Sequence, residues 1–111
     1  MDSVTIKHIE DLMNRSQIST MKLGNKTTVV SVVLPNGFII VESSSCVDPA
    51  NYDEKLGYAI CVSRIQSKLW ELEGYLLQEN KYQNELFRQE EYDEARKEAL
   101  INTKNGEDDE G

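Results

Sequence analysis

Cysteine, histidine, tryptophan and proline are all scarce: two Cys, one His, one Trp and two Pro in 111 residues. Cys46 and Cys61 lie 15 positions apart with no Cys-x-x-Cys and no adjacent histidine. That spacing fits neither a zinc ribbon nor a disulfide framework, so both are expected as reduced thiols. A lone His8 excludes a multi-histidine metal centre and leaves at most one imidazole base. No metal and no cofactor are expected. No apolar run approaches the ~20 residues that span a bilayer, and Met-Asp-Ser-Val lacks the basic start and apolar centre of a signal peptide. No membrane association is expected, and the product is expected in the cytoplasm where it is made. Basic residues are also short, 12 against 20 acids, for a net charge of −8. From Glu79 onward there are 11 acids and 5 bases, so −6 of the −8 belongs to the C-terminal third. Direct binding to a nucleic-acid backbone, which needs Lys and Arg to neutralise phosphates, is disfavoured.

What is present reads as an α+β fold, with one domain over residues 1–101 and a disordered acidic tail over 102–111. Ser3 is placed to cap a short helix over about 3–14, whose Ile6, Ile9, Leu12 and Met13 share one side. Ile18 to Leu23 reads as a short strand ended by Gly24-Asn25. Thr27 to Leu34 and Phe38 to Val41 are rich in β-branched residues and flank Pro35-Asn36-Gly37, a sequence suited to a bulged turn. Their nearly continuous apolar character predicts a β-hairpin over 27–41 in a small antiparallel sheet covered on both faces, by helices or by another subunit.

Ser43 to Ala50 reads as a loop. Asp48-Pro49 has the order of an N-cap and a first-turn proline, and Asn51 and Glu54 have capping-box spacing, which predicts a long amphipathic helix over 51–78. Its stripe is Tyr58, Val62, Ile65, Leu69, Leu72 and Leu76. Gly57 and Gly74 inside it predict close approach of another backbone. After a weaker stretch at 78–83, Glu85 to Ile101 reads as an acidic C-terminal helix with Glu85–Arg88 and Asp93–Lys97 pairs.

Several groups of side chains could carry function. Tyr58, Val62, Leu69 and Trp70 are the expected interface of a homo-oligomer, because a striped helix and a two-faced hairpin exceed what one small chain easily covers. Asn51, Tyr52, Arg64 and Lys68 could together hold an anion such as a nucleotide, although no Gly-rich cradle is present. Asp48 and Asp53 read as helix caps rather than paired acids. A Cys46–His8 dyad has no support from spacing; Cys46 reads as a buried structural residue and His8 as solvent-facing. Glu90, Glu91, Asp93, Glu94 and Glu98 form a like-charged row able to imitate a phosphate backbone.

The string Cys46-Val47-Asp48-Pro49-Ala50-Asn51-Tyr52-Asp53, followed by a helix carrying Leu69-Trp70-Glu71-Leu72-Glu73-Gly74-Tyr75-Leu76-Leu77, is the most distinctive in the chain. Together the two resemble a small phage protein family named after gene product 49 of one phage and gene product 66 of another, over about Thr27 to Leu77. The resemblance implies a phage or prophage origin and brings no reaction with it. Small accessory proteins of that source often act on the host by binding. The expectation is therefore a non-enzymatic interaction protein, an anti-defence inhibitor of the anti-CRISPR kind, whose acidic row meets a host defence protein or nucleic-acid enzyme. The alternative is a binder that sequesters a nucleotide immune signal.

Overall fold

The structure, a computed structural model, describes residues 3–110, with side chains through Ile101. Its elements run α1 (Ile6–Arg15), β1 (Gln17–Leu23), β2 (Thr27–Val33), β3 (Ile39–Ser45), a 3-10 turn (Pro49–Asn51) and α2 (Glu54–Glu110). The α+β class is as the sequence predicts. Two compact units emerge, Met1–Tyr75 and Leu76–Gly111.

In the first unit, α1 starts at Thr5, whose hydroxyl accepts from His8 N–H at 3.1 Å, not at Ser3. The strands form an antiparallel sheet in the order β1-β2-β3. The β1–β2 turn places Gly24 at φ +64°, while no residue other than glycine has positive φ among those described. The β2–β3 turn follows the predicted bulged form: Gly37 N–H donates to Leu34 C=O at 2.8 Å, and Gly37 takes φ +91°. Only glycine enters that region without a Cβ penalty.

Strand β3 runs to Ser45, so Ser43 to Ser45 are ladder and not loop, paired with Val29, Thr28 and Thr27. Serine favours turns over strands, but a pairing partner overrides that weak preference. The even-numbered Thr28, Val30 and Val32 of β2 are fully buried, whereas its odd-numbered residues are only half-buried. The sheet is covered on one face, not on both. Val30, Val32, Leu34 and Ile40 meet Ile9 and Met13 of α1 and Cys61, Ile65 and Leu69 of α2 in one core. Full burial of Ile65 and Leu69 contributes about 1.5–3 kcal/mol each.

Helix α2 begins at Glu54, where Asp53 Oδ1 accepts from Leu56 N–H at 3.1 Å, so Asp53 and not Asn51 caps it. The buried ridge is Gly57, Cys61, Ile65 and Leu69, at steps of four. Tyr58, Leu72 and Leu76 of the predicted stripe are exposed and Val62 is half-buried. The predicted weakening at 78–83 does not end the helix.

The second unit is the remainder of α2, and its side chains from Lys81 to Ile101 are all exposed. Asp93 accepts from Gln89 at 3.1 Å within it. Helix α2 runs to Glu110, through most of the 102–111 segment expected to be disordered, and the side chains beyond Ile101 lie outside those described. Among the described residues, no helix is long and apolar enough to cross a membrane.

Candidate functional site

The corner between β3 and α2 gathers the most unusual residues of the sequence. Asp48 Oδ1 accepts from Ala50 N–H at 3.0 Å, and Asp48 C=O accepts from Asn51 N–H at 2.9 Å, closing the Pro49–Asn51 turn. Proline supplies the fixed φ that such a first position requires. The turn delivers Tyr52 onto β2, where its hydroxyl is 2.7 Å from Thr28 Oγ1. Thr28 is the one buried polar side chain of the described core, and Tyr52 satisfies it. Lys22 Nζ lies 4.6 Å from the centre of the Tyr52 ring, a cation–π contact from the outer strand β1.

Gly57 seats α2 on the same threonine. A Cβ at this position would overlap Thr28 Oγ1 and lie 3.0 Å from Thr28 Cβ. The predicted close approach is thus real at Gly57, although it is made to a side chain. It is absent at Gly74, where a Cβ would meet open space. One turn on, Cys61 Sγ lies 3.8 Å from Thr28 C=O. Burial pushes the Cys61 thiol up from its ordinary pKa, against the opposing pull of the Arg64 charge.

Cys46 is half-buried rather than buried, and its Sγ lies 3.2 Å from Asp48 C=O and 3.6 Å from Lys26 C=O. His8 is part-buried rather than solvent-facing, with Nε2 3.1 Å from a carboxylate oxygen of Glu73. The partners of Cys46 and His8 differ, so they do not form a dyad. Among the described residues, no group of three His, Cys, Asp or Glu is placed to share a metal ion.

The proposed anion ligands are divided between two places. Asn51 and Tyr52 line a pocket of about 110 Å³ together with Lys26, Ser44, Cys46 and Asp53. Arg64 and Lys68 do not line it. Arg64 Nη1 donates to Ser43 C=O at 2.7 Å, and Lys68 Nζ pairs with Glu42 at 2.6 Å. Both cations are tied to β3, an edge strand, which they cover. Lys68 also borders a second pocket of about 330 Å³, with Phe38, Ile39, Val41, Glu71 and Leu72.

Of the proposed oligomer residues, Leu69 is in the core and unavailable to a partner, while Tyr58 and Trp70 are exposed and Val62 is packed beside the core. The acidic residues Glu90, Glu91, Asp93, Glu94 and Glu98 are all exposed on α2. Sequence reasoning missed Thr28, which looked like one more β-branched strand residue. Its link to Tyr52 spans 24 positions and has no local signature.

A family model matches residues 4–81, taking in the sheet, the corner and the sheet-packed part of α2. The chain belongs to the Phage protein (N4 Gp49/phage Sf6 gene 66) family. Comparison with curated proteins and with solved structures returned no match. The match is longer than the resemblance at Thr27 to Leu77, and it adds α1 and β1 to what the family shares. Of the string Cys46 to Asp53 that carries part of the resemblance, Asp48 and Asp53 serve as caps and Tyr52 as the anchor on Thr28 in this structure.

Proposed function

We propose that this phage-family protein acts by binding another protein, without chemistry of its own. The observation that carries the reading is the use already made of its reactive-looking groups. Asp48 and Asp53 cap backbone N–H groups, Tyr52 holds Thr28, and Cys61 is buried with a thiol that burial disfavours ionising. The surface left for function is the row Glu90, Glu91, Asp93, Glu94 and Glu98, all exposed. Such a row suits a basic groove of the type that holds a nucleic acid, and the target we propose is a host defence protein or nucleic-acid enzyme, inhibited by occupation of that groove.

The competing reading, sequestration of a nucleotide signal by Asn51, Tyr52, Arg64 and Lys68, loses support because Arg64 and Lys68 are paired elsewhere. Two variants separate the readings. Glu90, Glu94 and Glu98 replaced together by Gln keep size and helix propensity, and this protein is expected to fold but lose biological activity. Arg64→Ala with Lys68→Ala is expected to retain it. Full activity of the triple Gln protein would end the acidic-surface reading, and loss of activity only in a folded Arg64 and Lys68 variant that also loses nucleotide binding would favour the nucleotide reading.

A further inference from the structure

The sheet face turned away from the helices is built from the odd-numbered residues of β1, β2 and β3, which the two ladders place in common rows. It carries no charged residue, although the chain is 29% charged. The two charged residues of the sheet, Lys22 and Glu42, both fall on the helix-covered side, where each has a partner. On the open side, Met21, Leu23, Ile39 and Val41 are each more than half exposed. Three strands of seven residues span roughly 24 Å by 14 Å, and on this area the apolar residues Met21, Leu23, Val29, Val33, Ile39 and Val41 alternate with uncharged polar ones, leaving exposed apolar surface that a partner can cover. A partner with a charged groove gains nothing from this face. Two copies of a chain with net charge −8, in contrast, meet here without like charges opposed.

The distribution of bulk favours a second copy. One corner holds Met21 and Leu23 on β1, and the diagonally opposite corner holds Ile39 and Val41 on β3. The other two corners hold Ser19 and Gln17, and Ser43 and Ser45. A two-fold axis lying between stacked sheets along the strands sets Met21 and Leu23 over Ser43 and Ser45 of the second copy. An axis across the strands sets them over Ser19 and Gln17 of the second copy. Either operation lays large residues on smaller ones, which lets aligned sheets interdigitate at their ~10 Å spacing.

We propose that this uncharged sheet face is the interface of a homodimer, in which two copies stack face to face with their bulky and small corners interlocked. The interface thus moves from the helix residues Tyr58, Val62, Leu69 and Trp70 to the open sheet. It belongs to the first unit, whereas the acidic row belongs to the second, and the two are separable by substitution.

Sedimentation equilibrium of the full chain at tens of micromolar is expected to give twice the 12.7 kDa chain mass. Met21→Glu and Val41→Glu, at exposed positions, are each expected to keep the far-UV circular dichroism spectrum and weaken the dimer at least ~100-fold, because each substitution enters a two-fold interface twice. Met21→Ser alone is expected to weaken it at least ~10-fold. Restoring the bulk opposite recovers it: Met21→Ser with Ser43→Met for an axis along the strands, Met21→Ser with Ser19→Met for an axis across them. A monomer, including one that holds a different protein on this face, overturns the proposal. So does a dimer untouched by both Glu variants, or one that neither swap recovers.

Discussion

Gly57 and Thr28 are in such close contact that no side chain fits between helix α2 and strand β2 at that level, and the threonine hydroxyl turned into the contact is held by Tyr52. A residue without a Cβ and a buried hydroxyl thus set the distance from helix to sheet where the helix begins. Along the ridge Gly57 and Cys61 are small and Ile65 and Leu69 large, so the closest approach is at Gly57.

Gly57→Ala is therefore expected to destabilise the fold by up to about 2 kcal/mol despite alanine's better helix propensity, because an overpacking cost of about 1–3 kcal/mol outweighs the ~1 kcal/mol gained in the helix. The penalty should shrink in a Thr28→Ala background, where the opposing hydroxyl and methyl are gone. Urea melts of the four proteins in this cycle measure it. Equal penalties in both backgrounds would place the effect of Gly57 elsewhere.

The two thiols should differ in reactivity. Burial raises the Cys61 pKa, so its thiolate is scarce at neutral pH and access to it is closed, whereas Cys46 is half-buried on the loop. Titration with a thiol reagent at pH 8 is expected to modify Cys46 in the native protein and Cys61 only after denaturant is added. Cys46→Ala should leave biological activity within a few-fold of the parent. Complete loss of activity in a folded Cys46→Ala protein would instead argue for chemistry at this residue.

Arg64 and Lys68 are expected to act as guards of β3. Their removal as Arg64→Ala and Lys68→Ala frees Ser43 C=O and leaves Glu42 without its cation, at a cost of about 1–2 kcal/mol for partly exposed contacts. Amide hydrogen exchange over residues 39–45 should accelerate while that of Val30 and Val32 stays slow, and the variant should aggregate more readily through the uncovered edge. Unchanged exchange over residues 39–45 would show that the edge needs no cover.

Local signals carried much of this fold. Pro35-Asn36-Gly37 between β-branched runs specifies its turn by φ preferences and the Asn36 side chain, and Asp48-Pro49 specifies the 3-10 turn by a cap and a fixed φ. Periodicity finds α2 and its buried Ile65 and Leu69 but starts the stripe one residue late, because Gly57 and Cys61 do not register beside Tyr58 and Val62 as large apolar positions. The strand over Ser43 to Ser45 was hidden since its support comes from Thr27 and Thr28 across the ladder. The same holds for the corner. Asp48 and Asp53 were legible as caps, which are local, whereas Tyr52–Thr28, Arg64–Ser43 and Lys68–Glu42 join residues distant in sequence.

The corner formed by Asp48 to Asp53 also bears on what kinship can transmit. Asp48 and Asp53 are engaged with the chain's own backbone and Tyr52 with Thr28, and the family match ends at residue 81, before the acidic row begins. In this chain the string is a way of joining a sheet to a helix. Membership of the family therefore says nothing of the acidic row, which lies in the thirty residues past the match.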